Sequence, residues 1–544
     1  MSTGRHKQER GVGLQPLDEI NGYQVRPGFY NRDGATATTR GVSFTIHSFG
    51  ATACYLLLFR PQEKEPYVTL KYPEAYHIGN TYSMFVFGLK IEEFEYAFQL
   101  DGPYDEKKGL LFKKENVLLD PYARAVTGQR NWGERPEGGA DFIYHARVVE
   151  NNFDWGDIRP TEHPFEDLVI YEMHVRGFTK DASSGVTPGA EGTYEGLRQK
   201  IPYLKDLGVN AVELMPAYEF MERSTVEPGK AMIRQKHHKD KVNYWGYLPG
   251  FYFAPKSAYC ATKKPHKEFC DMVRAFHEAG IECIMEMYFP ADTAPMKALY
   301  ALWFWKKYYH VDGFHLLGDG VPGELIERDP FLYGVKKMFS DISGQPEKEN
   351  MLAEYNRGFM QDMRRLLKSD EGMVAGAQFH IKRNTGNFGT INYMASQDGF
   401  TLYDTVTYNY RHNEANGEDN HDGSDYNYSW NCGVEGASRK QAIRRLREQQ
   451  LRNAFLMLLL SQGTPMIYGG DEFGNSQNGN NNAWCQDNSV GWTDWKCMKK
   501  QEKLFSFVKK AIAFRKDHPI LHMPNELRTP LISCKSSGEN ITVF

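Results

Sequence analysis

The chain is 544 residues long, too long for one ordinary domain, so two or three are expected. Charged residues make up 25% and the hydrophobic set 41%, and the net charge is −4 with both signs interspersed. That balance excludes the basic footprint of a nucleic-acid binder and the polybasic patch of a membrane-surface protein. No apolar run reaches about 18 residues, so no transmembrane helix is expected. The 8 cysteines form no CxxC pair. Zinc and redox motifs therefore have no support, no metal or cofactor is expected, and scattered thiols suit the reducing cytoplasm.

In chain order, Met1 to Arg10 is polar and lacks the apolar core of a signal peptide, so residues 1–20 are expected to form a disordered tail. Residues 21–135 read as short strands. Val42, Phe44 and Ile46 alternate with polar residues, as do Tyr82, Met84 and Val86, and then Phe94, Tyr96 and Phe98. Turn signals such as Asn31-Arg32-Asp33-Gly34 and Asp101-Gly102-Pro103 separate them, which predicts a β-sandwich.

Over 136–520 the rhythm changes to apolar strands alternating with helices. The strand runs are Leu168–Met173, Val209–Leu214, Ile281–Met287 and Val311–Leu316. Helices are expected over Thr193–Leu207, over Lys267–Ala279, around Leu302, Trp303 and Trp305, and over Gln501–Asp517. Repeated parallel βα units predict a (β/α)8 barrel with its functional residues at the C-terminal ends of the strands. Residues 521–544 read as the start of a truncated C-terminal β domain. Its last strand, Asn540 to Phe544, would leave an exposed edge.

Several segments then carry a resemblance. Val169-Ile170-Tyr171-Glu172-Met173-His174-Val175-Arg176-Gly177-Phe178-Thr179, Asn243-Tyr244-Trp245-Gly246-Tyr247, His412-Asn413-Glu414-Ala415-Asn416-Gly417-Glu418-Asp419-Asn420, Ser429-Trp430-Asn431-Cys432-Gly433-Val434-Glu435-Gly436 and Gly463-Thr464-Pro465-Met466-Ile467-Tyr468-Gly469-Gly470-Asp471-Glu472 follow in order. Together they resemble the glycogen-debranching and isoamylase branch of the α-amylase superfamily (glycoside hydrolase family 13). The resemblance implies an immunoglobulin-like sandwich of the carbohydrate-binding module 48 kind before the barrel. It also implies a link from the one to the other at Leu118-Leu119-Asp120-Pro121-Tyr122-Ala123.

Retaining glycosidases need two carboxylates about 5–5.5 Å apart, one as nucleophile and one as acid/base. Active relatives carry Val-Asp-Gly-Phe-Arg-Phe-Asp on the nucleophile strand. Here Val311-Asp312-Gly313-Phe314 is followed by His315-Leu316-Leu317, which places Leu317 at the nucleophile position and His315 where an Arg is expected. The acid/base position falls on Ser340, or on Asp341 if the alignment slips by one residue. Glu354, in Leu352-Ala353-Glu354, imitates the acid/base motif but belongs to a downstream segment. The third carboxylate survives as Asp398, with Gln397 in place of a substrate-binding His. Glu286 replaces an Asp, and Pro290-Ala291 replaces an Asn-His pair. A missing general acid costs about 10²–10⁴-fold, and loss of the nucleophile removes the covalent route.

Each position also has a blander reading. Leu316 and Leu317 suit a pocket wall, Glu286 a strand-end anchor and His315 a packed, hydrogen-bonded ring. Asp398 is either a sugar ligand or a remnant. Tyr244, Trp245 and Tyr247 suit stacking on glucose or packing. Asp471-Glu472 suits a strand-end cap. His237-His238 with Asp240 suits an exposed polar loop better than a metal site.

The reading that follows is an α-glucan-binding, non-catalytic relative of the debranching enzymes, in partnership with an active homologue or with a second copy of itself. In plants a catalytically dead isoamylase is known to pair with an active one. Two alternatives stay open. One is an active hydrolase with displaced carboxylates, in which Asp319 would share the face of Leu317 about 6.6 Å along the strand. The other is a structural or assembly protein that has left sugars behind.

Overall fold

Strand alternation is visible first in the N-terminal region. In the computed structural model, which describes residues 14–127, 131–134, 144–150, 152–223, 241–342, 351–527, 534–537 and 540–543, two antiparallel sheets make up this region. One runs in the order Asp18–Ile20, Tyr23–Pro27, Thr81–Phe87, Gly41–His47, Gly34–Thr38, with His77–Ile78 beside Thr81–Phe87. The other runs Ala125–Val126, Ala146–Arg147, Glu95–Asp101, Ala53–Phe59, Pro66–Lys71.

The predicted apolar faces meet here. Phe44 lies edge-on to Tyr96 with ring centroids 5.0 Å apart. The polar alternates of Gly41–His47 are buried too: Thr45 bonds Ser83 through their hydroxyls at 2.7 Å, and Ser43 Oγ accepts from the Phe29 amide. Buried hydroxyls are tolerated because each has a partner.

Two segments near the end of this region pair with its strands. Leu118 exchanges backbone hydrogen bonds with Phe98, and Asp120 is buried under the Tyr96 hydroxyl at 2.6 Å. Leu118 and Asp120 are thus held by a strand of the sandwich. Ala146–Arg147 also pairs into the second sheet, and Phe251–Pro255 groups with this unit. Short pairings made across long sequence gaps leave no local pattern to read.

The second unit is a closed parallel barrel. Its strands are β1 (Ile170–Met173), β2 (Ala211–Leu214), β3 (Glu282–Tyr288), β4 (Gly313–Leu317), β5 (Lys336–Phe339), β6 (Leu352–Tyr355), β7 (Gly389–Tyr393) and β8 (Thr464–Tyr468), and β8 returns to pair with β1. Helices fall where the periodicity places them: Pro265–Glu278, Pro295–Tyr309 and Glu502–Asp517. The helix expected over Thr193–Leu207 is two, Tyr194–Gln199 and Ile201–Leu207. Pro202 in the first turn of the second has no amide to continue the first.

Inside the barrel, Ile170, Ala211, Ile284, Met338, Ala353, Ile391 and Met466 form one apolar cluster. Gly313 completes that layer, because a Cβ there would meet the Lys336 side chain at 2.8 Å. Residues 534–537 and 540–543 form an antiparallel hairpin. The expected tail over 1–13, the His237-His238-Asp240 group and Phe544 lie outside the described residues.

Candidate functional site at the C-terminal end of the barrel

Side chains alternate along a strand, so two residues beyond the apolar layer the next inward layer begins. On β1, β2, β3, β4 and β6 that layer holds Glu172, Glu213, Glu286, His315 and Tyr355. Their exposures are 2%, 1%, 1%, 7% and 9%. Register places Glu172 beside Glu213, and Glu286 beside His315.

The groups form two linked sets of hydrogen bonds. The His315 Nδ1–H donates to Glu213 Oε1 at 2.7 Å, the Tyr355 hydroxyl donates to Glu213 Oε2, and the Tyr355 ring stacks on His315 at 4.1 Å. The Tyr247 hydroxyl donates to Glu286 Oε2 at 2.6 Å and accepts from Gln397 Nε2 at 2.8 Å. The Gln397 amide reaches Glu172 Oε1 at 3.3 Å. Glu286 Oε1 and Glu172 Oε2 have no hydrogen-bond partner among the described residues.

The electrostatics follow from burial and like charge. Burial pushes the Glu286 carboxyl up from its ordinary 4.5 to about 7, and Glu213 adds to the rise while His315 and the Tyr247 bond oppose it. Burial, then Glu286 and Glu213, push Glu172 well above the carboxylate range. Burial works to lower the His315 pKa, but the Glu213 carboxylate prevails and the imidazole is raised above its ordinary value. The potential ligand atoms of Glu213, Glu286 and His315 all lie within 4.8 Å of one another.

Above this layer are the positions singled out from the sequence. Leu317 ends β4 half-buried, and its carbonyl accepts from the Phe289 amide. Ser340 follows β5 and is exposed, as are Asp341 and Asp398, the latter in the loop after β7. Asp319 does not share the face of Leu317. Gly318 takes a φ of 92°, which ends the strand and its alternation, and Asp319 is exposed. Glu354 sits between the inward-facing Ala353 and Tyr355 and is held by Arg383 at 3.1 Å.

Tyr244 is 1% exposed, stacked on His174 at 3.9 Å and bonded to the Gly491 carbonyl. Trp245 belongs to the same apolar cluster at 8% exposure. Their faces are occupied by packing, the second of the two readings open for them. Tyr247 and Gln397 are half-buried and turned toward Glu286. Asp471 and Glu472 are buried and bonded to Leu402, Tyr171 and Gly470, as strand-end caps.

Glu172, Glu213 and Tyr355 were not singled out from the sequence. The signal was present: an acid within an apolar strand run, as in Ile170-Tyr171-Glu172-Met173 and Ala211-Val212-Glu213-Leu214, must meet a partner inside.

Residues 32–123 match carbohydrate-binding module 48, the isoamylase N-terminal domain. Over the chain, identity is 32% to isoamylase SU1 of Zea mays, covering 89% of this chain and 73% of that one. It is also 32% to the glycogen operon protein GlgX homolog of Haemophilus influenzae, covering 87% and 82%. A pullulanase from Paenibacillus barengoltzii, solved with maltohexaose and α-cyclodextrin, shares the fold at TM-score 0.67 and 17% identity, over 93% of this chain and 84% of that one. With its sandwich, closed eight-stranded barrel and this extent of identity, the chain belongs to the isoamylase and GlgX debranching branch of glycoside hydrolase family 13.

Proposed function

We propose that this member of the family binds α-glucan without hydrolysing it. The observation that carries the reading is the pair of residues at the ends of β4 and β5, Leu317 and Ser340, where the chemistry calls for a nucleophile and an acid/base. A leucine side chain forms no glycosyl ester, and a serine hydroxyl is far too weak an acid to protonate a leaving oxygen at neutral pH. The acids in and beside the buried layer are poorly placed to substitute. Glu286 and Glu172 are almost without exposed surface, so a sugar ring does not reach them, and Glu354 is paired with Arg383.

Glucan binding is supported by the module 48 match over 32–123 and by relatives that include a pullulanase solved with maltohexaose. Asp398, exposed beside the half-buried Gln397 and Tyr247, is the acid we assign to sugar hydroxyls. Free thiols at Cys54, Cys260, Cys270, Cys283, Cys432, Cys485 and Cys497 suit a cytoplasmic setting. No helix among the described residues is long and apolar enough to cross a membrane.

The test pairs two measurements on the purified chain. Native gels containing glycogen or amylopectin should retard it. A reducing-end assay on the same polysaccharides and on pullulan should stay at background. Turnover that disappears in Asp398→Asn would overturn the non-catalytic reading, and unretarded migration in every glucan gel would overturn the binding reading.

A further inference from the structure

The buried layer of the barrel holds more acidic side chains than basic ones. Three carboxyls, Glu172, Glu213 and Glu286, and one imidazole, His315, are each at least 93% buried. The charged groups acting on Glu172 are Glu286, Glu213 and Asp471, all of one sign, and the cation acting on Glu286 is His315. Desolvated like charges at this spacing are unstable unless protons or a cation neutralise them. Two carboxylate oxygens, Glu286 Oε1 and Glu172 Oε2, moreover lack any hydrogen-bond partner among the described residues. A buried acceptor left in this state marks a place where a missing group supplies the contact.

We propose that Glu213, Glu286 and His315 bind one divalent first-row metal cation. The ligand atoms of the first three lie within 4.8 Å of one another, close enough to converge on one ion. Tyr247 holds one oxygen of Glu286 and leaves Oε1 for the ion. Tyr355 and its stacking on His315 fix the ring and the Glu213 carboxylate. Two carboxylates with one imidazole and no thiolate favour Mn²⁺, Zn²⁺ or Co²⁺ over the all-oxygen cages of Ca²⁺ and Mg²⁺. The site is independent of the glucan reading: it needs no sugar and implies no hydrolysis.

The experiment uses the full chain, stripped with EDTA, desalted, then loaded with MnCl₂, ZnCl₂ or CoCl₂ in turn. Metal content after gel filtration, the visible d–d absorption of the Co²⁺ form and the thermal midpoint are read for each. At least one of the three metals should be retained at one equivalent and should raise the midpoint by several degrees. Glu286→Gln, which keeps the shape and the Tyr247 contact while removing a buried like charge, should fold and lose that retained equivalent. His315→Ala should lose it as well. If no cation is retained by the wild-type chain, protons alone neutralise the layer and the proposal falls. Full retention by folded Glu286→Gln would place the ion elsewhere and overturn it equally.

Discussion

At the N-terminal end of the barrel, Glu282 of β3 meets Lys336 of β5 at 2.8 Å and accepts the His163 amide at 2.7 Å. At the C-terminal end Glu286, on the same face of the same strand, faces carboxylates and one imidazole and keeps Oε1 without a partner. Both glutamates are buried, at 0% and 1% exposure. One strand therefore carries two burials of the same charge with opposite treatments. Where the acid is structural, a lysine is supplied in the next layer of contacts. Where strands open to the functional face, compensation is withheld. Such unbalanced buried groups cluster at functional sites in folded proteins.

Removing the compensation at the paired end should have the largest effect. Lys336→Met leaves Glu282 buried without its cation and should cost about 3–5 kcal/mol in urea unfolding. A loss below about 1 kcal/mol would erase the contrast between the two ends.

The opposite sign is expected at the open end. The folded-state pKa of Glu286 is raised to about 7 from 4.5, so its contribution to stability is full below pH 4.5 and is lost as pH rises through 7. In EDTA, Glu286→Gln should thus be more stable than the parent at pH 8, by on the order of 3 kcal/mol, and should flatten the stability profile between pH 5 and 8. Equal pH profiles for variant and parent would show that the open end is compensated after all.

Tyr247→Phe should come next. It deprives both Glu286 Oε2 and Gln397 Nε2 of the hydroxyl between them, at a cost of about 1–3 kcal/mol. Stability unchanged within error would mean that solvent replaces the hydroxyl and the layer is wet. The smallest effect is reserved for the rim: Asp398→Asn, at an exposed site, should change stability by less than about 0.5 kcal/mol while weakening retardation in glycogen gels.

Much of this was legible before any coordinates. Continuous apolar strands alternating with helices require a parallel sheet covered on both sides, and their repetition points to the barrel. The identity of Leu317 and Ser340 is a property of the chain itself. What the linear order left open were matters of neighbourhood. Tyr244 and Trp245 looked like sugar platforms because a motif does not say which faces the fold covers. Asp319 looked like a substitute acid until the turn at Gly318 ended the alternation.

Local periodicity thus determined the sandwich strands, the first four barrel strands and most of the helices named from it, because backbone sterics and burial act over a few positions. Tertiary structure alone decided that Glu172, Glu213, Glu286 and His315 share one layer. That meeting depends on which strands close the barrel and how far each is shifted against the next, a stagger set by contacts hundreds of residues apart, such as β8 on β1.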